Sequence, residues 1–319
     1  MKVDQSIPFQ KRYYKATEKL QHYVSKHFWM KAIVKVGFYI LLLDLAFVFL
    51  YPFIHMIITS LKTSDDLMNI TVKWLPNSLF LENYKIAFMT LSYQRFFLNS
   101  FIVTLLATLG HVFVCAFIAY GFARYHFPGR DILFAVVIFS LIVPIQVLIF
   151  PMYIQYSKLN WINTYLPLTV PTFFGFGLRG GLYIFLFRQF FMGLPYELEE
   201  AARIDGCGPF QTFFRIVLPV SKASILVSTV LSMVWHWNDY FEPNIYLQSQ
   251  TMGLLPSRLP YLYSMLTSEE IIDASMDLVF NEAMVLAATF LVILPILVVY
   301  SVLQNKFMEG VERSGLTGQ

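Results

Sequence analysis

The chain has 319 residues, 57% hydrophobic and 13% charged, with a net charge of +3 and a mean hydropathy of +0.59. Soluble domains carry roughly 25% charged residues, and a single buried core stops growing near about 250–300 residues, so this much apolar side chain calls for a lipid bilayer as its solvent. The mild charge leaves no footprint for nucleic acid, and the two cysteines, Cys115 and Cys207, exclude a disulfide framework.

The segment 1–35 is polar and basic, with Lys2, Lys11, Arg12, Lys15, Lys19, Lys26, Lys31 and Lys35 against Asp4 and Glu18. It lacks the apolar stretch of a removable leader, so the first hydrophobic run is expected to be retained. Phe9, Tyr13 and Tyr14 interleave with the lysines, which suits a basic helix lying on the inner membrane face or a solvated tail. Six apolar runs follow, at about 36–59, 97–122, 131–153, 166–187, 223–241 and 283–303. Each can supply the ~20 helical residues that cross about 30 Å of hydrocarbon. The expected architecture is an all-α integral membrane protein, with a membrane domain over 36–304 and a tail over 305–319.

Lys and Arg near helix ends set the orientation. Arg124 and Arg130 lie between the second and third runs, and Arg188, Arg203, Arg215 and Lys222 between the fourth and fifth. The link between the fifth and sixth is acidic, with Glu269, Glu270, Asp273 and Asp277 against Arg258. The first link is mixed, with Lys62, Lys73, Lys85 and Arg95. Both termini are therefore expected in the cytoplasm, with 62–93 and 248–281 outside.

The loop over 195–219 is punctuated as two short helices. Pro195 suits a first helical position, Glu197 and Glu199 favour the positive end of a helix dipole, and Gly206 is a natural stop. Pro209 opens a second helix in which Phe210, Phe213, Phe214 and Val217 recur at helical spacing, and Pro219 is expected to end it.

Glu200-Ala201-Ala202, then Gly206, then Ile216, Leu218 and Pro219 reproduce the spacing of the EAA motif, and the chain resembles the permease subunits of ABC importers. Asp205-Gly206 and the second-helix phenylalanines are similar to the maltose and multiple-sugar branch, in its smaller-partner version. Further agreements are Ser60-Leu61-Lys62, Pro76 with Glu82-Asn83-Tyr84, Asn99-Ser100, Ala119-Tyr120, Arg124, Phe127 to Arg130, the run from Trp235 to Tyr240, and Gln304 to Gly310. The long basic N-terminus and the glycine-rich fourth run depart from the pattern.

The resemblance implies a type I importer permease fold with six spans, half of a pathway for a sugar or oligosaccharide, or for another solute. It implies a second homologous permease, two ATPase subunits docked on the cytoplasmic loops, and an external binding protein. ATP and Mg²⁺ would sit on the ATPase and no cofactor on this chain. Glu200, Ala201, Ala202, Ile204, Asp205, Gly206, Phe213, Ile216, Leu218 and Pro219 would form the coupling element. There the small alanines would allow close approach to the partner, and a side chain at Gly206 would obstruct the turn.

Ionisable groups inside spans are costly and mark candidate sites. Arg179 falls near the bilayer midplane, among Pro171, Gly175, Gly177, Gly180 and Gly181, which predict an interrupted helix. It suits a residue facing the pathway, or a structural partner of Asp44 or of freed carbonyls. Trp237, Asn238, Asp239 and Tyr240 combine aromatic faces with polar tips, as sugar contacts or interfacial anchors do. His55, His111 and His236 have no metal-ligand spacing and suit packing.

An enzyme is disfavoured: the chain has no His-Glu-x-x-His, no Gly-x-Ser-x-Gly and no Gly-Lys dipeptide, hence no Walker A loop. A secondary transporter would have broken helices too, but would not need the two-helix loop.

Overall fold

The structure, a computed structural model, describes residues 26–72, 74–177, 179–249, 251–262 and 281–313. The basic segment before residue 26, most of the stretch 248–281 and the tail after 313 lie outside the described residues. The chain divides into two compact units, 1–58 and 59–319. In the first, the described residues belong to one helix, α1 (Lys26–Ser60), which starts well ahead of the expected span and tolerates Pro52 within it. Asp44 sits on this helix.

In the second unit the described elements are α2 (Ser64–Met68), α3 (Glu82–Thr90), α4 (Tyr93–Arg124), α5 (Arg130–Ser140), α6 (Ile145–Lys158) and α7 (Leu166–Thr169). A 3₁₀ turn (Val170–Phe174) leads to α8 (Gly180–Met192), α9 (Glu197–Ile204), α10 (Pro209–Val220), α11 (Lys222–Asn238), α12 (Phe241–Tyr246), α13 (Leu255–Arg258) and α14 (Glu282–Arg313). No strand occurs among the described residues. The central helix is α4, which packs against α8 and the 3₁₀ turn and against α11, while α14 packs on α11 and α3. Small residues let backbones approach: Ala116 and Ala119 are fully buried, and a Cβ on Gly110 would run into Thr172 and Phe173.

Three helices, within α1, α4 and α14, are long and apolar enough to cross a membrane, and up to five spans result if each bent pair counts as one. Two of the six expected runs are broken at identifiable residues. The third run bends by 99° between α5 and α6, where extended Pro144 offers no N–H and holds Val143 out of the helical region. The fourth is interrupted as its glycines predict. Its chain passes through left-handed backbone at Gly175 (φ 70°), Gly177 (φ 117°) and Arg179 (φ 65°) before α8 begins. Glycine adopts that region freely and arginine does not.

Gly180 shows how tight the break is: a Cβ there would collide with the Gly175 carbonyl oxygen, a backbone atom with no flexible end to yield. Gly180→Ala is therefore expected to destabilise the permease by about 1–3 kcal/mol, read as a lowered thermal unfolding midpoint in detergent. An unchanged midpoint would show that the break relaxes freely.

The connection after α1 is pinned by residues distant from it in the sequence. Asn83 Nδ2 donates to the carbonyls of Ser60 and Lys62, both at 2.9 Å, and the hydroxyls of Ser60 and Tyr84 are 2.6 Å apart. Carbonyls at the helix end, which lack intrahelical donors, thus find one 23 residues on. Asn99 Nδ2 donates to Gly253 O at 3.2 Å, and Ser100 Oγ accepts from the Leu255 N–H at 2.7 Å, which ties α4 to the segment before α14.

Candidate functional site

The loop over 195–219 forms two short helices that meet at Gly206, but the first starts at Glu197, so Pro195 lies ahead of it and not, as expected, at its first position. Helix α9 carries Glu197, Glu199 and Glu200 in its first turn. It closes with Gly206 at φ 80°: the Cys207 N–H bonds Ala202 O at 2.9 Å and the Gly206 N–H bonds Arg203 O at 3.0 Å. That pair of bonds is a Schellman closure, which needs a left-handed residue after the helix. A Cβ at Gly206 would meet nothing within 4 Å, so the constraint is the backbone angle and not, as expected, an obstruction.

The second helix departs from expectation. Instead of ending at Pro219 it runs on to Val220, and Phe213–Val217 is π-helical, with the Leu218 N–H bonded to Phe213 O. Pro219 has no N–H to give the Arg215 carbonyl, and a wider turn accommodates the lost bond. The bend of 79° falls at Ser221, before α11.

Of the residues expected to form the outward face, Glu200, Ala201, Ile204, Asp205 and Gly206 are exposed, as is Pro219, while Ile216 and Leu218 are half-buried. Ile204 at the tip is 87% exposed, while Phe210, 65% exposed, stacks with one face on Phe117 of α4. Two residues face the other way. Ala202 is buried, and Phe213 is wholly buried against Phe117, Tyr120 and Phe214, so neither presents itself to a partner. The π-helical turn begins at Phe213, which packs with Val217 on α4 and α8.

Glu199, expected only to favour the helix dipole, anchors the loop. Its carboxylate lies 2.7 Å from Arg124 Nε, with both side chains almost fully buried, and accepts from Tyr120 Oη at 3.2 Å. Arg124 also donates to Leu194 O at 2.7 Å and stacks over the Tyr196 ring at 4.3 Å. Tyr120 and Arg124 are four residues apart on α4, hence on one face. That spacing was the available signal, but the carboxylate lies 79 residues from Tyr120.

A second feature lies where the two broken runs meet. A cavity of about 460 Å³ is lined by the α5–α6 bend, including Ser140, Pro144 and Gln146, and by Gly177, Arg179 and Gly181 at the start of α8. The Arg179 guanidinium lies 4.0 Å above the ring of Trp235, a cation–π contact that the sequence did not reveal. Asp44 belongs to the first unit.

In the run from Trp237 to Tyr240, Trp237 is buried, donates Nε1–H to Val292 O at 3.0 Å and packs edge-on to Phe97; it also lines an apolar cavity of about 370 Å³ with Phe101, Met233 and Val298. Asn238 bonds its own helix at Val234 O. Asp239 Oδ1 accepts from the N–H groups of Phe241 and Glu242 and starts α12. Tyr240 is exposed. Beyond the helix end Glu242 is buried with no partner for Oε1. Burial, seconded by the Asp239 carboxylate, pushes its carboxyl well above the usual range.

His111 and His236 meet, Nδ1 to Nε2 at 3.0 Å. They form a buried packing pair, and no group of three or more His, Cys, Asp or Glu suited to a metal occurs among the described residues.

Comparison with known proteins places these features. Residues 112–305 match the family described as binding-protein-dependent transport system inner membrane component. The chain is 28% identical over 290 residues to the arabinooligosaccharides transport system permease protein AraQ of Bacillus subtilis (strain 168), covering 90% of this chain and 97% of that protein. It is 35% identical over 213 residues to the sn-glycerol-3-phosphate transport system permease protein UgpE of Pectobacterium atrosepticum, covering 67% and 70%. The crystal structure of a bacterial ABC transporter involved in the import of the acidic polysaccharide alginate contains a chain of the same fold, with TM-score 0.72 at 22% identity over 86% of this chain and 97% of that one. The chain belongs to the family of inner-membrane components of binding-protein-dependent transport systems, and is a multi-pass ABC permease subunit and not an enzyme.

Proposed function

We propose that this chain forms half of the translocation pathway of an ATP-driven sugar importer, with 195–219 as the element that couples it to an ATPase. The relative AraQ, named for arabinooligosaccharides, supports a sugar as solute. The similarity to UgpE favours a second reading, a phosphorylated polyol. Six crossings follow if α5–α6 is the third and α7, the 3₁₀ turn and α8 together make the fourth. A second permease completes the pathway, two ATPase subunits carry ATP and Mg²⁺ and dock on the loops, and a binding protein delivers the solute outside. Both termini then lie in the cytoplasm.

The observation that carries this reading is the loop itself. Its exposed apolar tip, Ile204, asks for a partner, while its base is fastened to α4 by the buried Arg124–Glu199 pair and by Phe210 stacked on Phe117, so a force on the tip reaches a membrane span. Closure of the ATPases would draw two such loops together and open the cavity outward.

Cys207 reports the orientation. It is partly exposed and Cys115 is buried, so an impermeant thiol reagent reads the loop with little background. Intact cells should leave Cys207 unlabelled. Inverted vesicles stripped of ATPase should label it, and restored ATPase should suppress that labelling. Ser249→Cys should react from outside. Labelling of Cys207 in intact cells would remove the importer reading, because the loop could not touch a cytoplasmic ATPase.

A further inference from the structure

We propose that the cavity between the two broken runs binds an oxyanion carried by the solute, a carboxylate or phosphate on a sugar or polyol, with Arg179 as its ligand. This rests on the pathway reading above and names the class of solute that the cavity suits. Its volume, about 460 Å³, lies within the roughly 300–1,000 Å³ of small-molecule sites. No carboxylate is among its lining residues, whose charge is the Arg179 guanidinium and whose other polar side chains are Ser140 and Gln146. The Ser140 hydroxyl is already committed to Val137 O at 2.6 Å.

The Arg179 guanidinium carbon lies 4.0 Å from the centroid of the Trp235 ring, a cation–π contact that holds the cation beside the cavity. Its N–H donors form the fork that matches a carboxylate or phosphate. No salt bridge within the unit involves Arg179 among the described residues. The positive end of α8 adds to the same field, since Arg179 is its N-cap and Gly180 and Gly181, in its first turn, line the cavity. The backbone there is held in left-handed form at a non-glycine residue, a strain of the kind retained where a side chain must be aimed. A neutral sugar would leave this cation with hydroxyls alone; an oxyanion neutralises it.

The test uses the full chain in nanodiscs, read by tryptophan fluorescence with Trp235→Phe as blank. The probes are galacturonate, glucose 1-phosphate and galactose, with sodium chloride as the ionic control. At least one anionic probe should give a saturable change, absent from the Trp235→Phe protein, at a half-saturation about tenfold or more below that of galactose. A response to galacturonate alone assigns a carboxylate, and to glucose 1-phosphate alone a phosphate. Arg179→Asn keeps a residue that tolerates left-handed backbone and removes the charge. It should raise the anion half-saturation by about tenfold or more and that of galactose by much less. Arg179→Lys retains the charge without the planar fork and should fall between, which keeps the test decisive should the asparagine variant fold poorly. Equal half-saturation for galactose and the anions, a chloride response matching the anions, no saturable response to any probe, or an unchanged anion response in both variants would each overturn the proposal. Co-purification of the ATPase with Arg179→Asn is a separate readout. Its retention alongside a failed anion response sinks the oxyanion site and leaves the importer reading in place.

Discussion

Arg124→Ala is expected to cost about 3–5 kcal/mol, the penalty of leaving a buried partner charge unmatched, and to deplete the permease from the membrane. Glu199 would lose its counter-ion in a place where both side chains are almost wholly shielded from solvent. The Leu194 carbonyl would lose its donor, and Tyr196 the cation over its ring. Glu199→Ala should fail to a similar degree by stranding the guanidinium. The pair Arg124→Leu with Glu199→Leu should recover much of the loss, because apolar groups often replace a buried ion pair at little cost once both charges are gone. Membrane abundance and thermal midpoint of the three variants decide it. Single variants as abundant as the parent would show that the pair does not fasten the loop.

Gly206→Val should produce a different failure: normal permease abundance, no co-purifying ATPase and no solute uptake. The residue sits at φ 80° with open space around it, so valine clashes with nothing distant. It is penalised by its own backbone, on the order of 1–3 kcal/mol for a non-glycine residue held in the left-handed region, and most for a β-branched one. Relief of that strain opens the Schellman closure and turns Ile204 and Phe210 away from their present arrangement. Gly206→Asn serves as the control, since asparagine accepts this conformation, and should keep ATPase binding and uptake. If the valine variant transports normally, the left-handed turn is not needed for coupling.

Much of this architecture was legible from local chemistry. Apolar runs located the membrane helices, because lipid demands long uninterrupted stretches, and glycine with proline marked the interrupted fourth run. The helix stop at Gly206 was likewise readable, being a property of one residue's backbone. What escaped were relations between distant positions. Nothing near Glu199 distinguishes it from Glu197 or Glu200, yet its place on α9 turns it inward to Tyr120 and Arg124. Trp237 offered a ring by residue type, and only the structure shows it buried with its N–H spent on Val292. Trp235, two positions earlier, meets Arg179 instead. The bend at Pro144 was missed because the surrounding residues, Leu141 to Val143 and Ile145, are as apolar as the helix, so composition alone reads straight through it.

One feature of the bundle bears on how it can move. Ser100, Thr104, Thr108 and His111 form a buried row on α4, and Ser224, Ser228, Ser232 and His236 a buried row on α11. The two faces meet at the histidine pair. Thr104, Thr108 and Ser228 make no hydrogen bond with their hydroxyls among the described residues. Apart from the histidine hydrogen bond, these small side chains make a contact held by shape, which shears at little cost. The ends of α4 are different: Asn99 and Ser100 tie it near its start, and Arg124 clamps its last residue. Fastened at both ends and joined to α11 between them by small side chains and one histidine pair, α4 can take up a pull on the 195–219 loop as slip along its middle.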